Sequence, residues 1–111
     1  MDIQALKSRT RQVTVEYEGE RLNVEYRPAA LTGALVDRVA GAAGETGQSA
    51  VIADALAAIL ADWDATADGQ PYPPTPENLL ALPLRLLSEV FRVVVQDAAP
   101  PPPNAAPSGS F

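Results

Sequence analysis

The chain contains neither cysteine nor histidine. Without thiols it has no disulfide frame, no thiolate zinc site and no sulfur nucleophile. Without imidazole it lacks the commonest general base and the commonest transition-metal ligand near neutral pH. Aromatic residues are scarce, at 5%, so the core is expected to be mostly aliphatic. Nowhere does an uninterrupted apolar run approach the ~20 residues that a membrane-spanning helix needs, and the opening MDIQALKSRT carries no apolar region of the kind a secretory leader uses. These absences predict a non-enzymatic cytoplasmic protein without a cofactor, compact through packing alone.

What is present is acidic and unevenly placed. The net charge is −6. Residues 1–36 hold five basic and five acidic side chains, whereas residues 37–111 hold three and nine, so the whole excess lies in the second part. Such a field repels phosphate backbones and anionic lipid, which disfavours nucleic acid and membrane surfaces and favours a protein partner.

The hydrophobic pattern changes period along the chain. Over QVTVEYEGERLNVEYR, Val13, Val15 and Tyr17 alternate with polar residues, as do Leu22, Val24 and Tyr26. That alternation predicts a hairpin over 12–27 turning at Gly19-Glu20, with Val13 opposite Tyr26, Val15 opposite Val24 and Tyr17 opposite Leu22. A lone hairpin is marginal in water, so its apolar face needs a cover. After Pro28, Thr32 is a natural cap for a short helix carrying Leu35, Val36 and Val39. From a cap at Ser49, the residues Val51, Ile52, Ala55, Leu56, Ile59, Leu60 and Trp63 form a doubled helical stripe that predicts a helix running to Trp63. Thr75-Pro76-Glu77 then reads as cap, first helical position and first-turn acid. Beyond Pro83, Leu86, Leu87, Val90, Phe91, Val94 and Val95 make a second doubled stripe.

These segments predict an α+β, mostly α fold. An N-terminal segment (1–11) precedes a single domain (12–97), in which the β-hairpin is followed by a small bundle of three to four helices, over about 32–43, 49–63, 76–82 and 84–97. A flexible, disordered Pro-rich tail (98–111) closes the chain.

No metal or catalytic constellation emerges. Starting from Asp64, a calcium-loop register places Thr66, Asp68 and Gly69 acceptably but puts Thr75 where a bidentate Glu belongs. Ser49 and Ser88 have no base assignable to them. Arg85, Glu89 and Arg92 read as a solvated stripe. The residues that qualify as partner-binding or core are Trp63, Tyr17, Tyr26, Leu86, Val90 and Phe91, with Trp63 expected between the two striped helices.

The order of parts carries a resemblance. A hairpin ending in YRPAALT, an aliphatic helix entering LADWDATADGQPYPPTPENLLALPLRLLSEVF and a tail containing PNAAPSGSF together resemble the tail assembly chaperones of long-tailed bacteriophages. The most telling positions are Trp63-Asp64, Asp68-Gly69, Pro73, Thr75 to Leu79 and Leu82-Pro83. The resemblance implies that many copies coat the tape measure protein, keep its apolar helices soluble while the tail tube polymerises, and then leave. It further implies residence in the host cell cytoplasm, absence from the mature virion, and Phe111 as the end of a short form beside a frameshifted longer one. The tail tube protein and a second copy of the chain are further candidate partners. The competing expectation is a virion component, such as a tail terminator or head-tail adaptor.

Overall fold

A computed structural model describes residues 1–99, so all of the expected tail from residue 100 onward lies outside the described residues. Two strands, β1 (Arg11–Tyr17) and β2 (Glu20–Tyr26), pair antiparallel as a hairpin. Their register departs from expectation: Val13 lies opposite Val24, Val15 opposite Leu22 and Tyr17 opposite Glu20. The turn explains the shift. Glu18 and Gly19 have φ of 51° and 83°, the pair of left-handed residues that a type I′ turn requires, so these two form the loop instead of Gly19-Glu20. A displacement by two keeps every side chain on its expected face. Val15, Val24 and Tyr26 are accordingly buried, and Glu16 and Asn23 are exposed.

The expected mostly helical fold, a hairpin on a simple helical bundle, is corrected by the strands. Among the described residues there are five α-helices and five strands in two antiparallel sheets, with 51% helix and 22% strand. A helix α1 (Ile3–Ser8), capped by Asp2, precedes the hairpin and buries nothing. After a short 3-10 turn (Pro28–Ala30), α2 (Gly33–Gly41) starts where the Thr32 hydroxyl accepts the Leu35 N–H at 3.2 Å. Next comes α3 (Gln48–Ile59), which begins after a left-handed Gly47 at φ 88° without a side-chain cap. The expected Ser49 cap is therefore wrong: the glycine redirects the chain, and Ser49 already lies inside the helix.

The largest departure follows. The chain leaves the helix at Leu60, and Leu60–Trp63 forms β3, hydrogen-bonded to β2 in a sheet of order β1-β2-β3. Helical spacing misled here because Leu60 and Trp63, three apart, share one face of a helix. A register shift at Glu25/Tyr26 lets both turn inward from a strand as well. Local bonds also favour the extended form. The Asp62 carboxylate accepts the Trp63 N–H at 2.9 Å, a contact that competes with helix. Asp64 grips β2, taking the Asn23 N–H at 2.9 Å and the Asn23 amide at 2.7 Å.

Two minimal strands, β4 (Thr66–Ala67) and β5 (Gln70–Pro71), pair across Asp68-Gly69, which repeats the type I′ geometry with φ of 52° and 79°. The two remaining helices are α4 (Pro76–Leu80), capped by Thr75 as expected, and α5 (Leu84–Ala98). The core gathers Val15, Val24 and Tyr26 of the sheet with Leu56 and Ile59 of α3, Leu79 of α4 and Leu87, Val90 and Val94 of α5. Among the described residues no helix is long and apolar enough to cross a membrane.

Candidate functional site: an apolar groove over Trp63

The six residues singled out from sequence separate into three groups. Tyr26 and Val90 are fully buried and serve the core. Phe91 is half-buried on α5 and borders a hollow of about 350 Å³ with Val39, Ile52 and Val95. Tyr17, Trp63 and Leu86 converge on a different feature, an open groove of about 440 Å³.

That groove is assembled from the end of the hairpin, the end of β3, the interval after it and the first turn of α5. Its one wall is the hairpin end, with Tyr17 and Leu22; the other holds Ala65, Tyr72, Leu82 and Leu86. Trp63 lies at its base, 8% exposed. The expected placement of Trp63 between two helices is corrected: it is buried, but on β3 opposite Val24. Its indole N–H donates to the Tyr72 carbonyl, the Tyr72 hydroxyl donates to the Asn78 carbonyl at 2.7 Å, and the Asn78 amide donates to the Pro73 carbonyl at 2.9 Å. The base of the groove is thus tied to the cap of α4, and its aromatic rings are held without occupying its mouth.

The polar residues that border it are Glu18, Glu20 and Arg21 of the hairpin end and Thr66. Beside the groove in sequence, Leu80 and Leu84 are exposed, at 51% and 38%. A concave, largely apolar surface of this kind can bury another chain's side chains. Sequence reasoning missed Tyr72, Leu22 and Leu82. The signal for Tyr72 was available, because it is the one aromatic residue between Pro71 and Pro83, where the prolines otherwise turn and extend the chain.

The strongest electrostatic coupling lies elsewhere. Asp97 of α5 accepts from the Tyr26 hydroxyl at 2.5 Å and from Arg11 Nε at 3.0 Å, linking the end of α5 to the far end of the hairpin. The bond from Tyr26, then that from Arg11, hold the Asp97 carboxyl below its ordinary range. Burial, reinforced by Asp97, pushes Tyr26 up to about 12. These groups are structural: Tyr26 has no exposed surface. On α5, Arg92 clasps Glu89 at 2.5 and 3.0 Å and also reaches Gln96 at 3.0 Å. Among the described residues no three of His, Cys, Asp and Glu gather as a metal cage would require. Ser88 borders the second hollow with Arg92 and Gln96 and no neighbouring carboxylate there.

No family model, no curated protein and no solved structure matches the chain.

Proposed function

We propose that the chain is a non-enzymatic assembly chaperone that holds an apolar helical partner in the groove over Trp63. The observation that carries this reading is the open groove itself, with Tyr17, Leu22, Tyr72, Leu82 and Leu86 lining it, and with Leu80 and Leu84, close to Leu82 in sequence, exposed. A helix presenting apolar side chains at i, i+3 or i+4 and i+7 suits such a groove. Its aromatic base is already fixed by hydrogen bonds, so little ordering entropy opposes binding. The glutamates on the rim contribute repulsion toward acidic competitors more than affinity.

The resemblance of the interval from Trp63 to Pro83 to phage tail assembly chaperones supplies the partner: the tape measure protein, with the tail tube protein and a second copy as further contacts. On this reading the chain works in the host cytoplasm and leaves before the particle is complete. Co-expression is expected to raise the solubility of the tape measure protein, and the complex is expected to survive about 0.5 M salt, since screening weakens exposed charge pairs far more than apolar burial. Leu82→Glu, at a half-buried groove position, is expected to abolish capture while leaving the circular dichroism spectrum unchanged. Mass spectrometry of purified particles discriminates further. A chaperone is absent or in trace amounts; fixed stoichiometry with the tube would overturn this reading in favour of a virion component.

A further inference from the structure

The two edges of the three-stranded sheet differ. Outer strand β3 has only four residues and carries the register shift against β2. Such features protect an edge from pairing. Outer strand β1 has seven residues, RQVTVEY, with no proline, glycine, lysine or bulge.

The register fixes which of its backbone groups are free. Tyr17 and Glu20 flank the two-residue turn and therefore form a hydrogen-bonded pair; pairs of this kind recur at every second residue. It follows that the N–H and C=O groups of Gln12, Thr14 and Glu16 point away from β2. The other side of the ladder agrees: the Asn23 carbonyl, opposite Thr14, accepts the Asp64 N–H at 3.1 Å and so faces β3. Gln12, Thr14 and Glu16 have no other backbone partner among the described residues, and all three are exposed. α5 packs against the apolar face of β1, and its Arg85 and Glu89 border a hollow with Glu16 and Tyr17 at the turn end of the strand, leaving Gln12 and Thr14 outside that hollow.

We propose that this edge is a self-association interface, in which two copies pair antiparallel about a two-fold axis at Thr14 and extend one sheet across both chains. That register uses the full strand, since it sets Arg11 against the partner's Tyr17. It joins every outward group of Gln12, Thr14 and Glu16 to a counterpart. Gln12 meets the partner's Glu16, Val13 meets the partner's Val15 on the apolar face, and Thr14 meets itself, so no like charges oppose one another. An axis at Glu16 would set two carboxylates face to face. One at Gln12 would leave Thr14 to Tyr17 beyond the partner strand. Charge and length thus select a second copy in one register.

The absence of cysteine makes the test direct, because Thr14→Cys carries a single thiol. At the axis the two Cα atoms would stand ~5.5 Å apart, within disulfide range. Gln12→Cys places its thiols on the order of 13 Å apart and is the control. We expect mild oxidation to cross-link Thr14→Cys at least tenfold faster than Gln12→Cys. In sedimentation equilibrium, Thr14→Pro, which removes the outward N–H as well as the hydroxyl that donates to Asn23 Oδ1 at 2.9 Å, should weaken association at least tenfold, whereas Thr14→Val, which loses the hydroxyl alone, should leave it within about threefold. Equal, slow cross-linking at both positions would overturn the proposal, as would a folded Thr14→Pro that associates like the unaltered chain. If Thr14→Pro does not fold, the paired cysteine rates decide alone.

Discussion

The hairpin and the interval from Leu60 to Pro83 are both half-exposed chain folded against the same core, yet they are held by different means. In the hairpin, β1 and β2 share a repeated backbone ladder, and an alternating sequence aims one face inward. In the interval, regular pairing is limited to short strands, and cohesion passes through single side chains: Asp64 to Asn23, Trp63 to Tyr72, Tyr72 to Asn78, Asn78 to Pro73. A ladder distributes its stability over many equivalent bonds. A chain of unlike bonds concentrates it, so the interval is expected to respond far more sharply to single substitutions.

Trp63→Ala tests this contrast at its extreme. It opens a cavity at the base of the groove and orphans the Tyr72 carbonyl, and should cost about 3–5 kcal/mol in denaturant unfolding. Arg21→Ala, on the exposed face of the hairpin, should cost under about 0.5 kcal/mol. A loss below about 1 kcal/mol at Trp63 would abolish the distinction between the two regions.

The same contrast explains what was legible in the sequence. The hairpin, the Thr32 and Thr75 caps and the stripes of α3 and α5 announce themselves through local rules, because period and capping act within a few residues. The hairpin register was missed by two because Glu18, not Glu20, takes the left-handed position beside Gly19, a choice that alternation alone leaves open. β3 was missed because its cause is remote: it exists to satisfy the second edge of β2, and nothing within Leu60–Trp63 states that β2 has one. The groove inherits the same obscurity. Tyr17, Trp63 and Leu86 could be marked as candidates, but their meeting depends on β3 and on Tyr72, whose bonds span from Trp63 to Asn78.

Asp64→Ala sharpens the comparison at intermediate size. It removes both acceptors of Asn23 at an exposed position, where water replaces part of what is lost, so about 1–2 kcal/mol is expected. Tyr72→Phe deletes only the hydroxyl that donates to the Asn78 carbonyl and should cost about 1 kcal/mol. This change also loosens the wall of the groove. Partner capture measured by pull-down should therefore fall more for Tyr72→Phe than for Arg21→Ala, and the reverse order would show that the hairpin rim, not the wall, holds the partner.

The smallest pH dependence near neutrality belongs to the contact that joins the hairpin to α5, where Tyr26 and Arg11 share Asp97. Asp97 has a folded-state pKa below its ordinary value of 3.8, so its contribution is complete above that value and is lost as pH falls through the folded one. Tyr26 is raised from 10 to about 12; its contribution is complete below the unfolded value of 10 and is lost as pH climbs through about 12. Between these limits stability should not depend on this contact's titration. Tyr26→Phe removes the hydroxyl and with it both dependences, apart from the part of the Asp97 shift that Arg11 maintains. The stability gap between the unaltered chain and Tyr26→Phe, measured by denaturant unfolding, should therefore be widest on a plateau from about pH 5 to 9. It should narrow towards about pH 3 on one side and pH 11 on the other. Subtracting the two profiles cancels every other titrating group, so a gap that stayed constant from acid to alkali would mean that the Tyr26–Asp97 bond does not hold the hairpin to α5 in solution.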